Sequence, residues 1–170
     1  MSRFRLGSIL AFAAGILIIS GGCAESPSAP MQAGASLELL RAPQGASFSR
    51  SGSDSRSQVI GPEGGVIEIS AGRLVFPAGA VLQPTEIGMR ADGEYQGVHL
   101  SPHGLQFPAG AQPVLELKAA GAGAERLGLK VVYVNDAHQI LEVLPTAVVR
   151  NELTVSLEHF SGYIIAGNRQ

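Results

Sequence analysis

Tryptophan is absent from this 170-residue sequence, cysteine occurs once, and charged residues make up only 15% and aromatic residues 5%. Each shortage closes off a class. A single cysteine excludes the internal disulfide framework by which many small secreted domains are held together. Low charge beside 22 Gly and 10 Pro argues against a coiled coil or helical bundle, whose sequences are rich in Ala, Glu, Lys and Leu. A formal net charge of −2 offers none of the clustered Lys and Arg that replace counterions on nucleic acid. With no Trp, and Tyr95, Tyr133 and Tyr163 as the only tyrosines, a stacking platform for sugars is missing. The length points to one domain.

What is present begins with a leader. Arg3 and Arg5 precede an uncharged apolar run, Ile9–Ile19, which ends in Ser20-Gly21-Gly22-Cys23. Eleven residues fall short of the ~20 that a helix needs to span the bilayer core, so a membrane span is the weaker reading. They fit the apolar region of a signal peptide, which small residues follow. Small residues directly before the cysteine resemble a bacterial lipobox, although Ser20 stands where that family prefers Leu, Val or Ile. The resemblance implies cleavage after Gly22, lipid attachment at Cys23 and, with Ala24 next, residence in the outer membrane on its periplasmic or surface side. One acyl chain binds only marginally and two or more anchor stably. Ordinary cleavage leaving a secreted protein is the alternative. Removing residues 1–22 leaves ten basic and fourteen acidic residues, a net charge of −4.

Residues 23–57 are rich in Ser, Ala, Gly and Pro and nearly free of aromatic and β-branched residues, so they bury too little to offset ordering entropy. They read as a disordered tether, with an end-to-end distance of about 30–35 Å. Ser36–Arg41 is the exception, a stretch that could form one helical turn or a docking segment; isolated short helices are marginal in water, so a fluctuating segment is expected.

From residue 58 short β-branched runs recur every 8–12 residues between Gly, Pro, Asp and Asn, the signal of an all-β domain. The runs are Val66–Ser70, Arg73–Phe76, Glu86–Ala91, Gln96–Ser101, Val114–Ala119, Gly128–Asn135, Leu141–Val149, Leu153–Phe160 and Tyr163–Ala166. Leu153, Val155 and Leu157 alternate with Thr154 and Ser156, as one buried strand face requires. The expectation is an antiparallel β-sandwich of eight or nine short strands over 58–167, with a tail at 168–170. Leu74-Val-Phe-Pro-Ala-Gly-Ala80 is echoed by Leu105-Gln-Phe-Pro-Ala-Gly-Ala111, which predicts two similar strand exits.

These residues carry a likeness. Gly64-Gly65-Val66, Leu74-x-x-Pro77-Ala78-Gly79-Ala80 and Thr85-x-Ile87 come first, then Ser101-Pro102-His103-Gly104-Leu105-x-Phe107 and Pro113-Val114, and finally His159-Phe160-Ser161-x-Tyr163. In that order they resemble the ZU-five domain, a β-sandwich module of zonula occludens proteins, netrin receptors and ankyrins. The second Pro-Ala-Gly-Ala departs from its pattern. The resemblance implies a non-catalytic protein-interaction module with no cofactor, so the partners expected are the membrane, through Cys23, and an unidentified protein. It also implies an alternative, because some relatives cleave themselves at His-Phe-Ser. Here Ser161 would attack the Phe160 carbonyl with His159 as base, releasing Ser161–Gln170.

Other constellations are thinner. His99 and His103 stand four apart, but Pro102 interrupts any helix and no Cys, Asp or Glu accompanies them at ligand spacing, so no metal site is expected. His138, in the turn Asn135-Asp-Ala-His, reads as an exposed loop side chain. No nucleophile elbow, phosphate loop or placed carboxylate pair is found, and neither an enzyme nor a small-molecule substrate is expected.

Overall fold

The computed structural model describes residues 37–42, 54–120 and 128–168. Among them are twelve strands and no helix. These are β1 Leu37–Leu39, β2 Ser55–Ile60, β3 Gly65–Ile69, β4 Gly72–Phe76, β5 Thr85–Ala91 and β6 Gly97–Ser101, followed by β7 Val114–Lys118, β8 Lys130–Val134, β9 Ile140–Val143, β10 Ala147–Val149, β11 Glu152–Ser156 and β12 Gly162–Asn168. One sheet runs β2-β5-β6-β12-β8-β9, with β1 added to β12, and the other runs β10-β11-β7-β4-β3. Every pairing is antiparallel. The all-β sandwich is as expected.

Period-two patterning sets the facing. Leu153 and Val155 of β11, Leu115 and Leu117 of β7, Leu74 and Phe76 of β4 and Ile87 and Met89 of β5 point into one buried cluster shared by both sheets. Phe76, Phe107 and Phe160 close its end with edge-to-face contacts at 5.0–6.2 Å between ring centroids. The two Pro-Ala-Gly-Ala motifs form matching turns beside these rings. Ala80 N–H donates to Pro77 O and Ala111 N–H to Pro108 O, with Gly79 and Gly110 at φ 81° and 86°. That left-handed backbone is why glycine stands at both places. Only the first turn leaves a strand, because Leu105–Phe107 makes a single bridge, Gln106 to His159.

β12 departs from simple alternation, since all its residues but Asn168 are buried. Tyr163 and Ile165 enter the main core, whereas Ile164 and Ala166 join Val132 and Val134 in a second cluster. Leu37, Leu39, Tyr95, Ile140 and Val143 pack against that cluster, so the outer face of the large sheet carries an apolar patch of its own.

Four expectations are corrected. The stretch 23–57 is not wholly a tether: Leu37–Leu39 pairs with Ala166–Asn168, and Ser55–Ile60 pairs with Thr85–Arg90. β2 escaped notice because it ends its sheet and leaves most of its side chains in water, so polar SRSQ serves it. The run Leu141–Val149 is two strands in different sheets, broken at Pro145-Thr146, where Thr146 Oγ1 donates to Leu144 O and accepts from Val131 N–H. Leu153–Phe160 ends as a strand at Ser156. Asn168, placed in the tail, is the last residue of β12 and pairs with Leu37.

Candidate functional site

Residues 1–22, which the sequence reading takes as a leader, and Cys23 lie outside the described residues. His159, Phe160 and Ser161 sit just before β12. Phe160 is in the core, and Ser161 Oγ–H is directed at Val134 O, 3.5 Å away. His159 faces elsewhere. Its ring packs on Tyr133 at 4.9 Å, its carbonyl accepts the Tyr163 hydroxyl proton, and its Nδ1 lies 3.4 Å from that hydroxyl. Neither Phe160 nor Ser161 has a positive φ. The three residues are neighbours in sequence, but the hydrogen bond of Ser161 does not go to His159. Burial raises the Tyr163 phenol above its ordinary pKa, with the nearby Tyr133, Glu142 and Glu158 charges adding to the effect.

A different group of side chains comes together at one end of the large sheet. Asp92 follows β5, His99 lies on β6 and His138 lies in the turn from β8 to β9. Both imidazoles reach the same carboxylate oxygen: His99 Nε2 is 2.7 Å and His138 Nε2 2.9 Å from Asp92 Oδ2. The other oxygen, Oδ1, accepts the backbone N–H groups of Glu94 and Tyr95, each at 2.7 Å. The Asp92 side chain is 4% exposed, so its charge depends on these partners. Burial pushes its carboxyl upward, but the hydrogen bonds from His99 and His138, then from the Tyr95 and Glu94 amides, outweigh that. They hold it well below the usual carboxylate range.

Each member is fixed from outside the group. Asn135 shapes the turn, with Oδ1 accepting from Ala137 N–H and Gln139 N–H, and His138 takes φ 55°. His99 lies against Gly162, where a Cβ would meet its Nδ1 at 3.1 Å and its Cε1 at 3.2 Å. Tyr95 packs on His138 at 4.8 Å on one side and carries the Arg41 guanidinium over its ring at 5.4 Å. Arg41 also pairs with Glu94 at 2.7 Å, and the backbone of residues 40–42 bonds to Glu94 and Gln96. The segment carrying β1 is therefore strapped along the loop that holds Asp92.

The sequence reading of this region is corrected in two respects. His138 is not a free loop side chain, because it binds Asp92. His99 does have an acidic companion, and its nearest histidine contact is the His138 ring at 6.3 Å. His103 joins them only in lining a cleft of about 430 Å³, together with Arg90, Glu94 and Asp136. Asp92 was missed because its partners stand 7 and 46 residues away. Its one local signal is Asp92-Gly93 after an alternating strand, which reads as a turn. Among the described residues this is the one group of three His, Cys, Asp or Glu with ligand atoms close enough to share an ion. Compared with models of known protein families and with curated proteins, the chain matches none.

Proposed function

We propose that this chain is a lipid-anchored, non-catalytic interaction or structural domain of the bacterial cell envelope, resident in the outer membrane. The observation that carries this reading is the leader: Arg3 and Arg5, the Ile9–Ile19 run and Gly22-Cys23, placed ahead of a polar stretch and a β-sandwich. Acyl chains on Cys23 hold the domain at the membrane. The ZU-five likeness of the sandwich supports an interaction role.

The manner in which β1 is held supports it further. Ile165 offers its N–H to Gln96 and its carbonyl to Leu40 N–H, so β1 continues along β12 past the end of β6. The sheet thus takes up an extended segment from well outside the sandwich. A partner protein engages in the same way, by strand pairing with the end strand β2.

Two experiments test the proposal. Growth with radiolabelled palmitate labels the wild-type chain and not Cys23→Ser; an unlabelled wild type overturns the anchor. Crosslinking in intact cells, read by mass spectrometry, recovers a reproducible protein partner if the domain serves interaction. A chain that crosslinks to no protein is structural only.

A further inference from the structure

We propose that Asp92, His99 and His138 form a binding site for one divalent transition-metal ion of the zinc class, with its remaining coordination positions facing the adjoining cleft.

The donor set comes first. Two imidazole nitrogens and one carboxylate oxygen suit zinc, nickel, copper or cobalt, whereas magnesium and calcium take all-oxygen shells. The three ligand atoms lie within 4.8 Å of one another. At zinc–nitrogen and zinc–oxygen lengths of about 2.0–2.2 Å, tetrahedral ligands stand roughly 3.3 Å apart. The present oxygen-to-nitrogen separations of 2.7 and 2.9 Å are those of hydrogen bonds, and each opens by about half an ångström to admit the ion.

The framework already meets the demands of a metal site. Both histidines present Nε2 to the same point. On binding, each coordinates through the Nε2 lone pair, so the proton that now lies between Nε2 and Asp92 Oδ2 is displaced, to Nδ1 or to solvent. Asp92 keeps Oδ1 for two backbone N–H groups, an outer shell that fixes the carboxylate plane and leaves Oδ2 for the ion. His138 is held in a left-handed conformation that L-residues adopt rarely, so its imidazole is aimed at a cost to the backbone. Gly162 leaves room for the His99 ring against β12. On the open side Glu94, His103 and Asp136 line the cleft, so water or a further side chain completes the shell.

The test uses the full chain in detergent with Cys23→Ser, so that no thiol competes, and without a polyhistidine tag. After chelator treatment, Zn(II) is titrated in by calorimetry, and Co(II) is added separately to read its visible absorption. The expected result is one equivalent of Zn(II) bound, the same for Co(II), and none of Mg(II). His138→Asn tolerates the left-handed turn and so keeps the fold while removing the imidazole. It weakens Zn(II) binding by at least about 100-fold, as loss of a ligand exceeds the 10–100-fold cost of losing an outer-shell contact. Asp92→Asn does the same and also abolishes the Co(II) spectrum, whereas His159→Ala binds as the parent does. Failure of the parent to bind Zn(II), or His138→Asn binding it with unchanged affinity and a native circular-dichroism spectrum, overturns the site.

Discussion

Asp92 shows how much one side chain organises. Its two oxygens take four donors from three stretches of chain, the β5–β6 loop, β6 and the β8–β9 turn. Truncation at Asp92→Ala leaves the two part-buried backbone amides without their acceptor and releases both histidines. In metal-free buffer it costs about 3 kcal/mol, measured by urea unfolding, since donors left without an acceptor cost more than the bond is worth. Tyr163 is the second residue of this kind. Its phenol is buried and donates to His159 O, so Tyr163→Phe costs about 1 kcal/mol at neutral pH. The pH dependence has a definite sign. The folded-state pKa lies above the unfolded value of about 10, so the unfolded chain loses this proton first and stability falls as pH rises above 10. The gap between wild type and Tyr163→Phe, followed by unfolding at stepped pH, narrows in that range. A gap that widens would mean that the phenol ionises readily in the fold.

At the scale of elements, β1 is the test of what holds the site. Leu37 and Leu39 pack against the cluster of Val132, Val134, Ile164 and Ala166, and the following Arg41 braces Tyr95 and Glu94. Leu39→Asp puts a charge on that apolar cluster and costs about 1–2 kcal/mol. Hydrogen exchange locates the damage: the amides of Leu40 and Gln96, bonded across the β1 junction, lose protection, while Leu115 and Leu117 in the other sheet keep theirs. The same element marks a limit of sequence reading. Strands with one buried face, such as Glu152–Ser156 and Val114–Lys118, were legible because apolar and polar residues alternate. A three-residue strand set in Ser- and Gly-rich chain carries too little pattern, and β2 is polar because it ends its sheet. Pro145 was a boundary that the β-branched residues on either side concealed. The metal cluster was hidden for another reason: its members meet only after β5, β6 and the β8–β9 turn have found their places.

At the scale of the whole molecule, the position of β12 decides what cleavage at Phe160–Ser161 would mean. β12 is a long interior strand of the large sheet, with β8 along one side and β6 followed by β1 along the other. Cutting at its entrance would not by itself release the strand, because Gly162–Ala166 would stay paired with β8, and Gly162–Ile164 and Ala166–Asn168 with β6 and β1. The local chemistry points the same way, with Ser161 Oγ directed to Val134 O and His159 engaged with Tyr133 and Tyr163. A water molecule would have to reach a carbonyl beside a residue wedged among Phe76 and Phe107. Mass spectrometry under denaturing conditions separates paired fragments and so sees a cut that native methods would miss. The chain recovered from membranes is expected to be uncut between Phe160 and Ser161, with Ser161→Ala differing only by its missing oxygen. A major species lacking Ser161–Gln170 in the wild type, and intact in Ser161→Ala, would show that the strand is cleaved in place and that the serine reaches the peptide despite its buried setting.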